Sequence, residues 1–353
     1  MLSSNGILVT ELINRAQGEL LARYPETVLF GLGVNDPKRI FGTTVNLVEQ
    51  FGKSRVFETP TAESCSLGVA VGLAITDYKP IVVYQRLDFF LLAMDQLVNS
   101  AAKWRYMFGD SYSTSMIIRL IVGRGWGQGP THSQNLHSLF THIPNLRVVF
   151  PAFADDFISQ YRNAFENPYP LIMIEDRWVH QSRQSLTDNI SIPSLTQVRN
   201  VHLGDAITLI TFGFMSILSQ KVTAFFAEKG VFVDHLSLIS LKPIDFNPLY
   251  ESAKKTRRVI ILDSGFEVAS LASYISHKIS GACFSFLRQP VKVLTAGDFA
   301  EPTSHGVIAH VKTNAKDIAF CVAQELGISP YEDWEDLDES PVDVPNSKFQ
   351  GPF

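Results

Sequence analysis

The sequence predicts an α/β protein with two doubly wound, mostly parallel sheets. Three observations support this fold class. Short apolar runs of strand length alternate with segments of helical periodicity, and the alternation stops near residue 185 and restarts near residue 204. The length of 353 residues also exceeds what one hydrophobic core usually serves. We therefore expect two α/β domains, each built on its own sheet, with parallel strands joined by helical crossovers.

The predicted first domain covers residues 1–185. Its predicted elements, in order, are a helix over Gly6–Tyr24, a strand over Thr27–Val34, a helix over Val45–Phe51, a strand over Arg55–Glu58, a helix rich in small residues up to Ala74, a strand over Pro80–Gln85, a helix over Phe89–Tyr106, a strand over Ser115–Gly125, a strand over Leu146–Ala152, a helix over Asp155–Phe165 and a strand over Pro170–Asp176. Strands and helices alternate through most of this region, as in a doubly wound sheet.

The junction between the strand at residue 55 and the helix that follows is the most informative stretch. Thr59 can cap this helix, Pro60 suits its first position, and Glu63 then lies in its first turn. Open parallel sheets bind ligands beyond the carboxyl ends of their strands, where this junction lies. A first-turn glutamate is, however, most often a surface residue that complements the helix dipole. Gly68 and Gly72 leave one surface of the helix nearly bare, so that another backbone can approach it.

Residues 186–203 lose the periodicity and are predicted to form a linker before a second domain at 204–329. The predicted elements of that domain are strands over Ile207–Gly213, Val231–Leu238, Lys254–Gly265 and Val291–Gly297, and helices over Ser219–Lys229, Val268–Ile279 and Val307–Leu326. Residues 330–353 are acidic and proline-containing, so we expect little order there.

Composition and charge exclude several function classes. The net charge of −5 provides no basic footprint for nucleic acid. The chain start lacks the features of a secretory signal, and no run approaches the ~20 apolar residues of a membrane span, so a cytoplasmic protein is expected. Cys65, Cys283 and Cys321 are far apart and odd in number, which favours buried reduced thiols over a disulfide framework or a zinc cluster.

The glycine-rich loop Gly123–Gln134 matches neither the Walker pattern nor the dinucleotide fingerprint. His132 follows these glycines, and a lone loop histidine is usually structural or solvated. No serine-nucleophile elbow, zinc-protease motif or paired-cysteine motif is present. Spacing alone therefore supports only a two-domain α/β protein with a candidate site at the strand ends of its first sheet.

Several ordered segments nevertheless resemble one family. They are ETPTAESCSLGVAVGLAITDYKPIVVYQ, AMDQLVNSAAKWRYM, THSQNLHSLFTHIPNLRVVFPAFADD and NPYPLIMIEDR in the first domain, and GDAITLITFGFM, SLKPID and SAKKTRRVIILD in the second. In order and spacing they resemble the beta subunits of thiamin-diphosphate-dependent 2-oxo acid dehydrogenases, the decarboxylating first component. The resemblance extends from about Leu8 to Ala309. It implies a transketolase-like pyrimidine-binding domain followed by a transketolase C-terminal-like domain.

The resemblance also implies roles for individual residues. Glu63 corresponds to the family glutamate that hydrogen-bonds a ring nitrogen of the aminopyrimidine and so promotes formation of the reactive carbanion. Phe89 corresponds to the aromatic ring that packs on the aminopyrimidine, and Thr61 and Gln85 to residues that line its pocket. His132 corresponds to the histidine that faces the reactive carbon. Flanking histidines at 137 and 142 are assigned to structure.

Half of the expected cofactor site is missing from the sequence. Family enzymes hold the diphosphate through magnesium, using a Gly-Asp-Gly sequence followed some thirty residues later by asparagine, and no such motif is present here. The resemblance implies that an alpha subunit supplies this half, in an α2β2 tetramer with the active site at the interface. No metal ligand is predicted in this chain. A lipoyl acyltransferase core is a further expected partner, and a 2-oxo acid the expected substrate.

Departures from the family leave the substrate and acceptor open. Ile239 replaces a usual arginine, Ala300 replaces a proline, and the loop introduces Arg124 and Trp126. Leu87 and Arg86 stand where a small residue and an aromatic residue are common. The leading hypothesis is a 2-oxo acid dehydrogenase beta subunit that transfers acyl units to lipoamide. The alternatives are a transketolase-like or acyloin-forming carboligase half with the same cofactor, and a non-catalytic assembly partner.

Overall fold

The computed structural model describes residues 6–123, 128–186 and 198–329, together with Trp334 and Leu337. Within these ranges the strands are β1 (Ile7–Leu8), β2 (Thr27–Gly31), β3 (Val56–Glu58), β4 (Lys79–Tyr84), β5 (Ile117–Val122), β6 (Arg147–Val149), β7 (Leu171–Asp176), β8 (Arg183–Gln184), β9 (Val198–His202), β10 (Ile207–Thr211), β11 (Val233–Leu238), β12 (Ser240–Lys242), β13 (Val259–Phe266) and β14 (Lys292–Ala296).

Helices cover both faces of the sheets that these strands form. They are α1 (Val9–Arg23), α2 (Leu47–Phe51), α3 (Glu63–Ile75), α4 (Leu87–Phe90), α5 (Trp104–Met107), α6 (His137–His142), α7 (Ala154–Asn163), α8 (Arg177–His180), α9 (Phe214–Glu228), α10 (Asn247–Thr256), α11 (Leu271–Cys283), α12 (His305–Val311) and α13 (Ala315–Leu326), with 3-10 turns at Leu91–Ala93 and Ala164–Glu166 and a π-helical segment at Gln96–Ala101. In the described residues, no helix is long and apolar enough to cross a membrane.

Two larger sheets organise the chain, and a short pair, β1 with β8, joins residues near the start to the end of the first domain. The first sheet has the order β12-β6-β7-β5-β4-β2-β3 and the second the order β14-β13-β10-β11-β9. Neighbours pair in parallel except at the edges, where β12 and β9 run antiparallel. The predicted fold class, doubly wound and mostly parallel, is confirmed.

The two sheets are packed together by strand pairing and by a shared core. β12 lies late in the chain, yet it extends the first sheet beside β6. One hydrophobic core continues from the first sheet through Phe150 and Phe212 into the second domain. A buried ion pair between His137 Nε2 and Asp263 Oδ1, 2.9 Å apart, also crosses this boundary. Burial alone would raise the pKa of Asp263, but the charge and hydrogen bond of His137, together with the backbone N–H groups of Gly265 and Ala272, outweigh burial and lower it.

Several predicted segments differ in the structure, four of them in element type or continuity. Residues 198–202, assigned to the linker, form β9, an edge strand that pairs antiparallel with β11 and buries only Val198. The predicted helix 89–106 is interrupted by the π-helical segment, because Ala102 N donates to Leu97 O five residues back. Leu97, Ala101 and Ala102 of its apolar face are buried, whereas Leu92 is 69% exposed. Periodicity alone cannot distinguish an α-helical from a π-helical bonding pattern. Residues 254–256 end α10 before the strand predicted there begins.

The fourth difference concerns the predicted closing helix 307–326, which is two helices. Asn314 starts α13 with a capping box: Asp317 N donates to Asn314 Oδ1 and Asn314 N donates to Asp317 Oδ2, each at 2.9 Å. Of the tail 330–353, the structure describes Trp334 and Leu337. Trp334 is buried against Phe225 and Phe226, so the expectation of little order is wrong at this residue. The other tail residues lie outside the described ranges.

The thiols also differ from expectation at one position. Cys283 and Cys321 are buried as predicted, whereas Cys65 is exposed on α3. The prediction of buried thiols is therefore wrong for Cys65, which lies on the solvent side of a helix whose opposite side carries the core residues.

The second domain contains a buried histidine whose protonation should control stability. Burial, with a smaller contribution from His202, lowers the pKa of His235 from 6.5 to about 3. Between pH 6.5 and about pH 3 the unfolded chain binds a proton at this histidine and the folded chain does not. The free energy of unfolding therefore decreases as the pH is lowered through this range. We expect about 2 kcal/mol less stability at pH 5 than at pH 7.5 from this group. Urea unfolding of wild type and His235→Gln at both pH values tests this, since the variant should lose that pH dependence; an unchanged difference would contradict it.

Candidate functional site

A cleft of about 250 Å³ opens at the carboxyl ends of β2, β3 and β4 in the first sheet. Its walls come from these strand ends, from the start of α3 and from the loop before α6. The lining residues are Leu32, Thr59, Pro60, Thr61, Ala62, Glu63, Ser66, Val83, Tyr84, Gln85, Arg86, Phe89 and His132. The structure therefore brings all the sequence-predicted site residues to one cleft, where parallel sheets bind their ligands.

Glu63 is the first residue of α3, and its side chain is half-buried at the cleft. The predicted roles of Thr59 and Pro60 as cap and first helical residue are wrong. Thr59 N donates to Gly31 O at 3.2 Å, so the pairing between β3 and β2 continues to this residue. The first hydrogen bond of the helix runs from Ser66 N to Ala62 O at 2.9 Å. The helix begins three residues later than predicted, which places Glu63 at its positive end.

Tyr84 holds the first turn of α3 in place through hydrogen bonds. Its hydroxyl donates to Glu63 O at 3.1 Å and lies 3.0 Å from Ser66 Oγ, which itself donates to Glu63 O at 3.0 Å. Burial, followed by the nearby charge of Glu63, raises the pKa of Tyr84, which therefore stays a neutral donor. The roles of Tyr84 and Ser66 could not be predicted from the sequence, because Tyr84 ends an apolar strand and carries no separate signal.

Phe89 and His132 form the other wall. Their ring centroids are 5.1 Å apart and the planes meet at 84°, an edge-to-face contact. Phe89 remains 39% exposed, so part of its ring is open to a ligand. His132 Nδ1 lies 2.8 Å from Thr131 Oγ1. The cleft thus combines an aromatic surface with an imidazole and a carboxylate.

Asp88, just after β4, holds the loop that contains His132 against the end of that strand. Gln134 donates to Asp88 Oδ1 through Nε2 at 2.8 Å and through its backbone N at 3.4 Å. This contact could not be predicted from the sequence, since its two residues are 46 positions apart. Arg124 and Trp126, which the analysis placed near the substrate side, lie outside the described residues.

Gln85 and Thr61 complete the cleft. Gln85 Nε2 lies 3.5 Å from Asp36 Oδ2, at the limit of a hydrogen bond, and passes directly beside Gly33. Gly33 has φ +84°, and a Cβ atom there would overlap Gln85 Nε2. Only glycine fits this turn without displacing the glutamine. Thr61 is exposed on the cleft rim.

Comparison with known proteins identifies the family. The model of the transketolase pyrimidine-binding domain matches residues 5–180, and that of the transketolase C-terminal domain matches residues 196–318. The beta subunit of acetoin:2,6-dichlorophenolindophenol oxidoreductase from Bacillus subtilis (strain 168) is 31% identical over 265 residues, 75% of this chain and 78% of the relative. The beta subunit of the pyruvate dehydrogenase E1 component from Rickettsia bellii (strain RML369-C) is 28% identical over 296 residues, 84% of this chain and 91% of the relative. The chain belongs to the transketolase-like E1 beta-subunit family.

The fold of this E1 beta-subunit family member also matches a solved structure. A chain described as split gene transketolase, inactive beta4 tetramer, superposes with a TM-score of 0.70 at 20% identity, covering 92% of this chain and 100% of the other. The likeness extends over both sheets, so it confirms the two-domain α/β architecture.

Proposed function

We propose that this chain is the beta subunit of a thiamin-diphosphate-dependent enzyme that decarboxylates a 2-oxo acid and transfers the acyl unit to lipoamide, as pyruvate and branched-chain 2-oxo acid dehydrogenases do. The observation that carries the proposal is the convergence of Glu63, Phe89 and His132 on one cleft, although they are separated by up to 69 positions in the chain. Family membership supports the same activity.

The residues present fit the aminopyrimidine half of the cofactor. A flat heteroaromatic ring with nitrogen atoms needs an aromatic or apolar surface and a carboxyl group at its edge. The cleft offers the open part of the Phe89 ring, the apolar side chains of Leu32 and Val83, and the half-buried carboxyl of Glu63. This chain can therefore bind that half of the cofactor by its own side chains.

When bound, thiamin diphosphate supplies the electron sink for decarboxylation. The protein contributes orientation and proton transfer. Glu63 would hold a proton at a ring nitrogen of the bound aminopyrimidine, and the Tyr84 hydroxyl, which donates to the backbone carbonyl of Glu63, holds that residue in place. His132, held between Phe89 and Thr131, can donate or accept a proton on the substrate side. Thr61 and Gln85 line the pocket.

The other half of the site is assigned to an alpha subunit in an α2β2 assembly. Magnesium needs carboxylate and phosphate oxygens in fixed geometry, and the only carboxylate among the residues lining the cleft is Glu63. Exposed apolar side chains support a subunit contact, among them Val69, Leu92 and Tyr106, which are 49%, 69% and 84% exposed. On α3 itself, a Cβ atom at Gly72 would meet no described atom within 4 Å, whereas one at Gly68 would contact Gln96.

A titration of the cofactor tests this division of the site. Thiamin diphosphate with magnesium is titrated calorimetrically into the chain alone, into the chain assembled with its candidate alpha subunit, and into the assembly that carries Glu63→Ala. We expect binding by the assembly only, weakened at least tenfold by the substitution, because one charged hydrogen bond is worth about 1.5–3 kcal/mol. Tight binding by the chain alone would contradict a shared site, and no binding by the assembly would favour a non-catalytic partner.

A second candidate function is an acyloin-cleaving or acyloin-forming half-enzyme with the same cofactor. It is favoured by the acetoin oxidoreductase beta subunit among the relatives. The two functions differ in the acceptor of the acyl or aldehyde unit. A dehydrogenase passes it to a lipoyl domain and needs such domains for turnover, whereas a carboligase passes it to an aldehyde or ketone and does not. Acyloin production by the assembly without lipoyl domains would select the second candidate.

A further inference from the structure

Arg86 occupies an unusual place for a cationic side chain. It lies directly after β4 and forms a wall shared by the cleft and a neighbouring cavity of about 300 Å³, which is lined by Asp36, Pro37, Lys38, Phe41, Gln85 and Arg86. Only 8% of Arg86 is exposed. A guanidinium is thus held almost fully inside the protein, beside the residues assigned to catalysis.

The contacts of Arg86 are neutral. Its Nη1 donates to Gly123 O at 3.2 Å and its Nη2 donates to Gln128 Oε1 at 2.6 Å. Arg177 Nη1 donates to the same Gln128 oxygen at 3.2 Å, so one amide oxygen serves two guanidinium groups. Among the described residues, no carboxylate lies within ion-pair distance of Arg86. The nearest acidic influence, Asp88, already accepts two hydrogen bonds from Gln134.

Burial disfavours the charged forms of Arg86 and Arg177. Burial lowers the pKa of Arg86 against the opposing charge of Asp88, and burial followed by the charge of Arg86 lowers the pKa of Arg177 to about 10. Lys38 and Asp36 also line the side cavity. A buried cation without a counter-ion is costly, and an incoming anion removes much of that cost.

We propose that Arg86 binds a second anionic group of the substrate, at the end remote from the carboxylate that is lost as carbon dioxide. The inference rests on the proposed function and specifies its substrate class: a 2-oxo acid with a distal carboxylate or phosphate. The planar guanidinium fork matches both oxyanions, and the side cavity provides room beyond the cleft for the additional group. Arg177 acts behind it, through the shared Gln128, as a positioning residue.

The test compares two ligands of similar length that differ in distal charge. Calorimetric titration of 2-oxoglutarate and of 2-oxopentanoate into the full chain without cofactor should show the dianion binding roughly 10- to 100-fold more tightly, the range of charge-assisted hydrogen bonds. Arg86→Gln should abolish this difference. Arg86→Lys, which keeps the charge without the fork, should retain part of it. Arg15→Gln removes an exposed arginine from α1 and should leave the difference intact.

Two further measurements identify the anion that Arg86 binds and show whether each variant is folded. Inorganic phosphate should compete with 2-oxoglutarate for binding to the wild type but not to Arg86→Gln. If phosphate binds through Arg86 but 2-oxoglutarate binds no more tightly than 2-oxopentanoate, the distal group of the substrate is a phosphate. Equal binding of the two oxo acids together with no effect of Arg86→Gln on phosphate binding would overturn the inference. Circular dichroism establishes that each variant is folded, and Arg86→Lys provides the informative comparison if Arg86→Gln is not.

The outcome is separable from that of the proposed function. Cofactor binding by the assembly reports on Glu63 and the alpha subunit, whereas oxo acid discrimination by this chain reports on Arg86. An assembly that binds cofactor but shows no charge preference among 2-oxo acids would overturn the inference alone. Discrimination by Arg86 in a chain whose assembly binds no cofactor would refute the proposed function and leave an anion site.

Discussion

Substitution Glu63→Gln should lower the 2-oxo acid decarboxylation rate of the assembled enzyme by about 10²- to 10⁴-fold, the usual contribution of a positioned acid or base. Glutamine keeps the size of the side chain and can still accept a hydrogen bond, but it cannot share a proton with a ring nitrogen. The backbone contacts from Tyr84 and Ser66 to residue 63 should persist, because they use its carbonyl oxygen. The fold and the assembly should therefore be unchanged.

A matched control separates catalysis from helix stabilisation. Glu49 also lies in the first turn of a helix, α2, but its side chain is 56% exposed and pairs with Arg39. If Glu63 only complemented the helix dipole, Glu49→Gln and Glu63→Gln would have equally small effects, on stability alone. Turnover that survives Glu63→Gln at the wild-type rate would show the catalytic role to be wrong and would favour a non-catalytic assembly partner.

The site residues could be predicted because their neighbours in sequence form ordered motifs. Glu63, Phe89 and His132 each lie in a segment with a recognisable family pattern, and the strand ends on which they lie follow from apolar periodicity. The residues that hold them in place could not be predicted in the same way. Tyr84 and Asp88 act through contacts to residues 21 and 46 positions away, and only the folded chain brings those partners together.

The fold differed from prediction where local signals were weak or competed. The strand at 198–202 was missed because its sequence, VRNVH, does not alternate apolar and polar residues, and its order comes from pairing with β11. The break before Asn314 was missed although its capping signal, an asparagine with an aspartate three residues later, is present in the sequence. A continuous apolar face across the break suggested one helix. The capping box at Asn314 therefore sets the start of α13, although apolar periodicity predicted one helix through this position.

Substitution Glu175→Gln should cost about 3–5 kcal/mol of unfolding free energy, because it leaves a fully buried arginine without its counter-ion. Arg119 and Glu175 are 0% exposed and form a two-pronged pair at 2.7 and 2.8 Å between β5 and β7. Burial alone would raise the pKa of Glu175, but Arg119 and then His180 outweigh it and lower the pKa. Glu175 also accepts hydrogen bonds from Tyr161 and His180, each at 2.9 Å.

The remaining donors of Arg119 connect this pair to the rest of the domain. Nη1 donates to Gln17 Oε1 on α1 at 2.9 Å, and Nη2 donates to Thr43 Oγ1 at 3.0 Å. Urea unfolding measures the loss, with Arg15→Met as a control, since the exposed Arg15–Glu19 pair should contribute at most about 1 kcal/mol. A loss below about 1 kcal/mol for Glu175→Gln would show that the neighbouring donors compensate the missing charge.

A double substitution distinguishes the attraction between the two charges from the cost of leaving one unpaired. Arg119→Met with Glu175→Leu removes both charges while keeping apolar volume, so the double variant should be more stable than Glu175→Gln. If it is less stable, the network of Gln17, Thr43, Tyr161 and His180 depends on the ions themselves. Because β5 and β7 end beside Gly123 and Arg177, the same variants should then also disturb the cleft, and 2-oxoglutarate binding by the double variant reports that coupling.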